Sequence, residues 1–157
     1  MTKINSKKHL TKKGVVKRNP RNLYIEYTNK IQDDITKFPM QFAFSDEQLE
    51  EGLKELGIKK SEALSIGSGG FIRKSDKEKY IAMIERHNQM REELMKNEKF
   101  VYQMFRYELA NHEFCITMDY RDTLDSVGLT MNEVNKNKML KKQLIKARND
   151  YMKNVEC

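Results

Sequence analysis

Apolar residues recur every three or four positions through most of this chain, and capping motifs separate the resulting stretches. Helices with one buried face have this spacing, whereas strands alternate every second residue. The clearest stripes cover residues 24–38, 49–56, 83–94, 100–109 and 140–155. The pattern therefore predicts a helix-dominated fold with about five helices.

Capping residues predict where these helices begin and end. Asn19 before Pro20 predicts the first start, because Asn accepts bonds from free amides and Pro fits the first helical position. Pro39 and Gly57 predict the ends of the first two helices. Ser or Thr followed three residues later by Glu or Gln forms a capping box. The three such pairs are Ser45 with Gln48, Ser75 with Glu78, and Thr130 with Glu133.

Four stretches predict strands. Residues 40–44 and 115–118 look strand-like. Residues 63–66 and 71–73 flank a glycine-rich turn at 67–70, which suits a hairpin because such turns need positive φ angles. Together with the helical stripes, these stretches predict an α+β single domain with a small antiparallel β-hairpin or sheet.

Basic residues are concentrated at the two ends of the 157-residue chain. Residues 1–22 carry eight Lys and Arg and no acidic residue, and residues 136–157 carry seven basic and two acidic residues. The net charge of +7 leaves the middle of the chain acidic. We predict a basic flexible arm at residues 1–18 and a folded domain at 19–157. The candidate contacts to nucleic acid or an acidic partner are Lys7, Lys8, Lys12, Lys13, Lys17 and Arg18 in the arm, and Lys141, Lys142, Lys146 and Arg148 in the last helix.

The chain carries no signal for membrane insertion or secretion. No apolar run approaches the roughly 20 residues that span a bilayer, and the lysine-rich start lacks the apolar stretch of a signal peptide. Two cysteines are too few for a disulfide framework. We therefore expect a cytoplasmic protein that has free thiols and no contact with a membrane.

A glycine-rich turn followed by basic residues is the first candidate binding site. The candidate anion-binding residues are Gly67, Gly69, Gly70, Arg73, Lys74 and Ser75. Backbone amides of such turns and of helix starts attract anions. The spacing does not match a nucleotide P-loop, because Arg73 stands where that motif needs a glycine. An ordinary hairpin turn and an anion site both remain open.

The predicted fourth helix places two ionisable residues on its apolar face. Glu108 and His112 lie four residues apart within the arc of the buried positions, so both are expected to face the core. A buried carboxylate is unfavourable without a partner. We therefore predict a hydrogen-bonded pair of Glu108 and His112, with Arg106 or Asn111 at its edge.

Four roles remain open for this pair: a structural network, a recognition site, a metal site that adds Cys115 and the distant His87, and acid–base catalysis. The spacing of the candidate ligands is not that of a standard zinc site. The sequence contains no recognisable catalytic or cofactor motif. We therefore expect no catalytic residue, metal or cofactor, and we favour a non-enzymatic protein.

Three segments carry a resemblance to known proteins. They are residues 42–53 (FAFSDEQLEEGL), 69–76 (GGFIRKSD) and 105–113 (FRYELANHE). Together they resemble a family of small uncharacterised proteins carried by phages and mobile elements of Firmicutes, over roughly residues 38–125. The resemblance supplies no activity. It implies a protein that binds host machinery, such as a defence nuclease, without catalysis.

Three functions follow as hypotheses. The leading one is a non-enzymatic binding protein of phage or mobile-element type that engages a host protein or nucleoprotein and inhibits a defence nuclease, with its acidic middle mimicking nucleic acid. The second is a small nucleic-acid-binding regulator that uses the basic arm and the last helix. The third is a ligand- or anion-binding protein or an enzyme, centred on Glu108, His112 and the glycine turn.

Overall fold

Helices dominate the computed structural model, which describes residues 21–157. Within this range eight α-helices accompany one small antiparallel sheet, which confirms the predicted helix-dominated α+β domain. The helices are α1 (Leu23–Lys37), α2 (Asp46–Leu56), α3 (Lys77–Leu94), α4 (Glu98–Asn111), α5 (Phe114–Thr117), α6 (Arg121–Ser126), α7 (Met131–Lys136) and α8 (Lys138–Lys153). The strands are β1 (Met40–Phe42), β2 (Ala63–Gly67) and β3 (Gly70–Arg73), and single 3₁₀ turns lie at Lys60–Glu62 and Lys74–Asp76. The predicted arm lies outside the described residues.

Helix α1 begins at a capping asparagine and ends before a proline. The Oδ1 atom of Asn22 accepts hydrogen bonds from the amides of Tyr24 and Ile25, at 3.1 and 3.0 Å. The predicted cap at residues 19 and 20 lies outside the described residues. Phe38 is extended (φ −76°, ψ 137°), because the residue before Pro39 is kept out of the helical region. The predicted end of the helix is confirmed.

Helix α2 follows its predicted caps, whereas α3 does not. Ser45 Oγ accepts a hydrogen bond from the Gln48 amide at 3.3 Å, and Gly57 ends α2 in the left-handed conformation (φ 66°). The predicted Ser75 cap is wrong, because Ser75 lies in a 3₁₀ turn and α3 starts at Lys77. Asp76 precedes α3, but its carboxylate accepts hydrogen bonds from side chains rather than from helix amides.

The predicted hairpin is confirmed, and β1 adds to its free edge. Strand β3 pairs with β2 on one side and with β1 on the other, both antiparallel. The turn between β2 and β3 uses Ser68 and Gly69, with φ of 51° and 78°. Two positive φ angles give the turn a twist that matches paired strands. A side chain at position 69 would also collide with Phe44, whose ring lies 2.7 Å from the site of a Cβ atom.

The main hydrophobic core is formed by the helices and is centred on α4, which packs most extensively against α8 and also against α1 and α6. The buried side chains of this core are Tyr24, Phe100, Val101, Met104, Phe105, Leu109, Phe114, Leu124, Val127, Val134, Leu140, Leu144, Ala147 and Tyr151. The apolar stripes predicted for α4 and α8 supply most of them. Within residues 21–157, no helix is long and apolar enough to cross a membrane.

The sheet packs against α2 around a glycine. An added Cβ atom at Gly52 would lie 2.7 Å from Phe71 Cζ and 3.0 Å from Gln41 Cβ. Both distances are shorter than van der Waals contact, so only glycine lets α2 approach the sheet this closely. Leu56, Phe71 and Ile72 are buried here, outside the helical core.

The region after α4 differs most from the prediction. Residues 115–118 were expected to form a strand, but 115–117 belong to α5 and Met118 ends it. This single helical turn lies between Glu113 and Met118, which are both left-handed (φ 48° and 54°). Phe114 is buried and stacks on Tyr120, with ring centroids 4.6 Å apart. Burial of the Phe114 ring therefore determines the local structure. This burial could not be predicted from the alternation of polar and apolar residues over four positions.

The predicted last helix is interrupted at Asn137. Thr130 and Glu133 form the predicted capping box, but the helix that they start is the short α7. Asn137 is extended, and its Oδ1 atom accepts hydrogen bonds from the amides of Met139 and Leu140 at 3.0 and 3.1 Å. A second cap therefore begins α8, and the structure has eight helices where about five were expected.

Candidate functional site

Glu108 lies at the centre of a polar network between α1 and α4. Its side chain is buried, with 6% of the residue exposed. Glu108 Oε1 accepts a hydrogen bond from the Tyr24 hydroxyl at 2.5 Å, and Oε2 accepts one from Asn111 Nδ2 at 3.2 Å. His112 Nε2 lies 3.3 Å from Oε2 but is not oriented to form a hydrogen bond. The structure thus brings Glu108, Asn111 and His112 together, but the hydrogen bond predicted between Glu108 and His112 is absent, and Asn111 donates to Glu108 instead.

Tyr24 is the partner that the sequence did not identify. It lies 84 residues before Glu108, on the buried face of α1. Burial, and then the hydrogen bond to Glu108, raise the pKa of Tyr24 above the ordinary tyrosine value. The predicted member Arg106 is not part of the network, because its guanidinium lies over the ring of Tyr151, 5.0 Å from the centroid. The network therefore ties α1 to α4 through two buried side chains.

The metal site considered for this region is not assembled. His87 contacts Asp34 between α3 and α1, with 3.1 Å between Nε2 and Oδ2, rather than Glu108 or Cys115. Hydrogen bonds from Lys30 and then from His87 lower the pKa of Asp34. Within residues 21–157, no three His, Cys, Asp or Glu side chains are grouped to hold a metal ion.

The predicted anion site is divided between the two ends of β3. Gly67 and Gly69 lie at the turn and Gly70 opens the strand, whereas Arg73 closes it about 10 Å away. Arg73 Nε donates to the carbonyl of Leu56 at 2.8 Å and its Nη1 to Asp76 at 3.2 Å. These bonds hold the guanidinium beside α2.

The other two residues of that prediction are also directed elsewhere. Lys74 Nζ donates to the carbonyl of Ser61 at 2.7 Å. Ser75 is exposed in the 3₁₀ turn and does not cap α3. The glycine turn and the basic residues therefore do not come together, and the structure favours the ordinary hairpin turn of the two alternatives.

The basic residues of α8 do not all serve one surface. Lys141, Lys142 and Lys146 are exposed. Lys142 Nζ lies 3.5 Å from Glu98 Oε2, and Lys146 Nζ lies 4.8 Å from the ring centroid of Tyr102. Both cations therefore face α4. Arg148 Nε is buried and has no hydrogen-bond partner among the described residues. The predicted contacts in the arm lie outside the described residues.

Two cavities lie next to each other along α4, and we call the surface that they form together the α4 groove. The first has a volume of about 620 Å³ and lies between α4 and the start of α1. The second has a volume of about 460 Å³ and lies between α4 and α8. They share Tyr102 and Gln103. The lining residues are Asn22, Glu98, Lys99, Tyr102, Gln103, Arg106, Tyr107, Ala110, Asn111, Lys142, Gln143 and Lys146.

Cations outnumber anions in the α4 groove. Four basic residues line it, and its one lining acid, Glu98, is close to Lys142. Asp150 lies nearby and accepts a hydrogen bond from the Tyr102 hydroxyl at 2.9 Å. Burial, and then this bond, raise the pKa of Tyr102. The groove therefore combines positive charge with tyrosine rings and side-chain amides.

The basic N-terminal sequence joins the folded domain at this groove. Gln103 on α4 accepts a hydrogen bond from the amide of Leu23 at 2.8 Å and donates one to the carbonyl of Arg21 at 3.1 Å. One glutamine thus holds the chain where residues 21–23 enter α1. Residues 1–20, which directly precede this point, contain seven basic residues and no acidic one.

Residues 23–150 match the model of a family of unknown function, DUF7659. The chain belongs to this family. No curated protein and no solved structure matches it. The family match covers α1 to α7 and most of α8, and so includes the α4 groove and the Glu108 network.

The DUF7659 chain also has an acidic face, formed by α2 and the neighbouring end of the sheet. Helix α2 carries five carboxylates and one lysine, whereas α8 carries six basic residues and one acid. Residues 21–157 as a whole contain equal numbers of acidic and basic residues. Phe42 and Phe44 are 51% and 78% exposed beside α2. A cavity of about 640 Å³ lies between Phe44, Leu49 and the hairpin.

Proposed function

We propose that this chain is a non-enzymatic binding protein that engages nucleic acid, alone or within a host nucleoprotein, through the α4 groove. The observation that carries the proposal is the convergence of the groove's four cations with the point where the basic N-terminal sequence enters the fold. Phosphate contacts by Lys and Arg supply most of the sequence-independent affinity for nucleic acid.

The α8 lysines are suitably placed for a phosphate backbone. Lys142 and Lys146 are one helical turn apart, which separates their backbone positions by about 6 Å along the axis. Both face α4, and Lys146 is held over Tyr102. Lys99 adds a third cation from the opposite wall. A nucleic-acid strand lying in the groove would contact positive charge on both sides.

A non-enzymatic role and a phage or mobile-element origin in Firmicutes are part of the same proposal. The Glu108 side chain, the best candidate for chemistry, is bonded to Tyr24 and Asn111 within the fold. Residues 42–53, 69–76 and 105–113 support the origin by their resemblance to proteins of such elements. We further propose that the protein acts in the cytoplasm of the bacterial host.

Salt dependence tests the proposal directly. Anisotropy of a fluorescent oligonucleotide, titrated with the full-length protein over a series of KCl concentrations, is expected to show an affinity that falls linearly on logarithmic axes. Four phosphate contacts from the groove predict a slope of about −3 or steeper. An affinity that stays constant with salt, or no binding at the lowest salt, would contradict the proposal.

A second candidate function is the binding of a basic host protein by the acidic face. The observation that favours it is the presence of two exposed phenylalanines beside five carboxylates. Exposed aromatic residues surrounded by charge are typical of protein interfaces. On such a surface the carboxylates of α2 would occupy the positions at which a nuclease binds the phosphates of its substrate. A defence nuclease would be inhibited by this competition.

Affinity purification from nuclease-treated host lysate separates the two candidates. If the acidic face binds a protein, the wild type should retain a basic partner, and Glu50→Lys/Glu51→Lys should lose it because the substitution reverses exposed charge on α2. Lys142→Glu/Lys146→Glu should retain the same partner. A partner that both variants retain equally would exclude the acidic face.

A further inference from the structure

We infer that the α4 groove takes a single strand of nucleic acid, with one unstacked base against Tyr107 and the backbone along Lys142 and Lys146. This inference rests on the proposed function and specifies its ligand. Single-stranded nucleic acid is bound where a positively charged channel adjoins aromatic rings on which bases stack. The α4 groove has both features, since Tyr107 lies on α4 and the two lysines lie on α8.

Tyr107 is held in place for stacking. Tyr107 is 45% exposed. Its ring contacts the ring of Tyr24 edge-on, with the centroids 5.5 Å apart and the ring planes at 62°. Tyr24 is itself held by its hydrogen bond to Glu108. The network beneath α4 therefore fixes the ring that supports Tyr107, so little side-chain entropy is lost when a base stacks on it.

Polar groups around Tyr107 suit the edge of a base and a phosphate. Asn111 uses Nδ2 to bond Glu108, and its Oδ1 accepts no hydrogen bond from residues 21–157. The guanidinium of Arg106 lies over the ring of Tyr151, and this side chain forms no hydrogen bond within the same range. One amide oxygen and one guanidinium are thus available at the cavity.

The shape of the groove favours a single strand over a duplex. A cavity of about 620 Å³ has the size of a small-molecule site and fits one nucleotide. In a duplex, the bases stay stacked on one another, so none of them can enter the cavity and stack on Tyr107. Helix α4 has six buried residues and packs against α8, so it does not protrude as a helix must to enter a major groove.

Three labelled oligonucleotides of one sequence test the inference: single-stranded DNA, single-stranded RNA, and the DNA duplex. Wild-type protein should bind a single strand more tightly than the duplex. The comparison of the two single strands shows whether DNA or RNA is bound more tightly. Tyr107→Ala should weaken single-strand binding by about 10-fold, because one stacked base is lost, and should leave duplex binding unchanged. Tyr107→Phe should keep the wild-type affinity.

Phe44→Ala is the matched control, since it removes a more exposed aromatic ring at the acidic face and should leave single-strand binding unchanged. Photocrosslinking to an oligonucleotide that contains 5-iodouracil gives a second measurement on the wild type, and the labelled peptide should contain Tyr107. Equal affinity for duplex and single strand, or a crosslink elsewhere, would overturn the inference while steep salt dependence still supported the proposed function. Absence of any salt-dependent binding would overturn both.

Discussion

Reversing the charge of both groove lysines in Lys142→Glu/Lys146→Glu is expected to weaken binding of a single-stranded oligonucleotide by about 10-fold or more at low salt. The variant would remove two of the proposed phosphate contacts and add repulsion in the same groove. The slope of affinity against salt should fall in magnitude by about 1.4, which is the share of two contacts on a single strand. Anisotropy titrations over several KCl concentrations measure both quantities.

The control for this variant must change the net charge equally. Lys59→Glu/Lys60→Glu does so at exposed positions after α2, and Lys60 lines the cavity of the acidic face. This control should bind nearly as well as the wild type. If the two variants lose the same affinity, net charge rather than the α4 groove governs binding, and the assignment of the site is wrong.

Tyr24→Phe is expected to lower the free energy of unfolding by about 2 kcal/mol, although it removes a single oxygen atom. The lost hydroxyl donates to a buried carboxylate, and Glu108 would keep only its bond from Asn111. A hydrogen bond to a charged group contributes more than a neutral one, and an unsatisfied buried acceptor adds a cost. Urea unfolding followed by circular dichroism measures the change.

Two further variants separate the hydrogen bond from the packing of the ring. Tyr27→Phe alters a ring of the same aromatic cluster whose hydroxyl makes no hydrogen bond to residues 21–157, and should change stability by less than about 0.5 kcal/mol. Tyr24→Phe/Glu108→Leu should cost less than the sum of its two single substitutions, because both polar partners are removed together. Strict additivity would show that the bond contributes nothing.

Tyr24→Phe is also expected to change the pH dependence of stability. Because the pKa of Tyr24 is raised in the folded state, mainly by burial, the folded protein holds this proton more tightly than the unfolded chain. Its contribution is complete below the ordinary value of 10.0 and decreases as the pH rises above it. Tyr24→Phe should therefore lose stability less steeply than the wild type above that value.

Local signals in the sequence predicted the elements that local bonds determine. Ser45, Gly57 and Thr130 act within a few residues of the atoms that they bond, so their roles could be read directly. Asp76 and α5 could not be predicted in this way. The carboxylate of Asp76 forms ion pairs with the side chains of Arg73 and Lys79. Helix α5 forms because Phe114 packs on Tyr120.

The candidate site divides along the same line. Helical spacing placed Glu108 on the buried face of α4, and the structure agrees. Its main partner, Tyr24, comes from another helix and needed the packing of α1 on α4 to be known. The groove likewise needs α1, α4 and α8 together. One signal was present in the sequence, since Lys142 and Lys146 are four residues apart on a helix whose other face is apolar.

The separation of acidic α2 from basic α8 determines how the molecule approaches other charged surfaces. Because residues 21–157 balance their charges, the folded part gains little from a uniform attraction to a polyanion. The unequal distribution of charge between α2 and α8 instead produces a torque in an external electric field. Near a phosphate backbone, the protein would rotate to bring basic α8 toward the phosphates before any contact forms. Orientation is thus selected during the encounter.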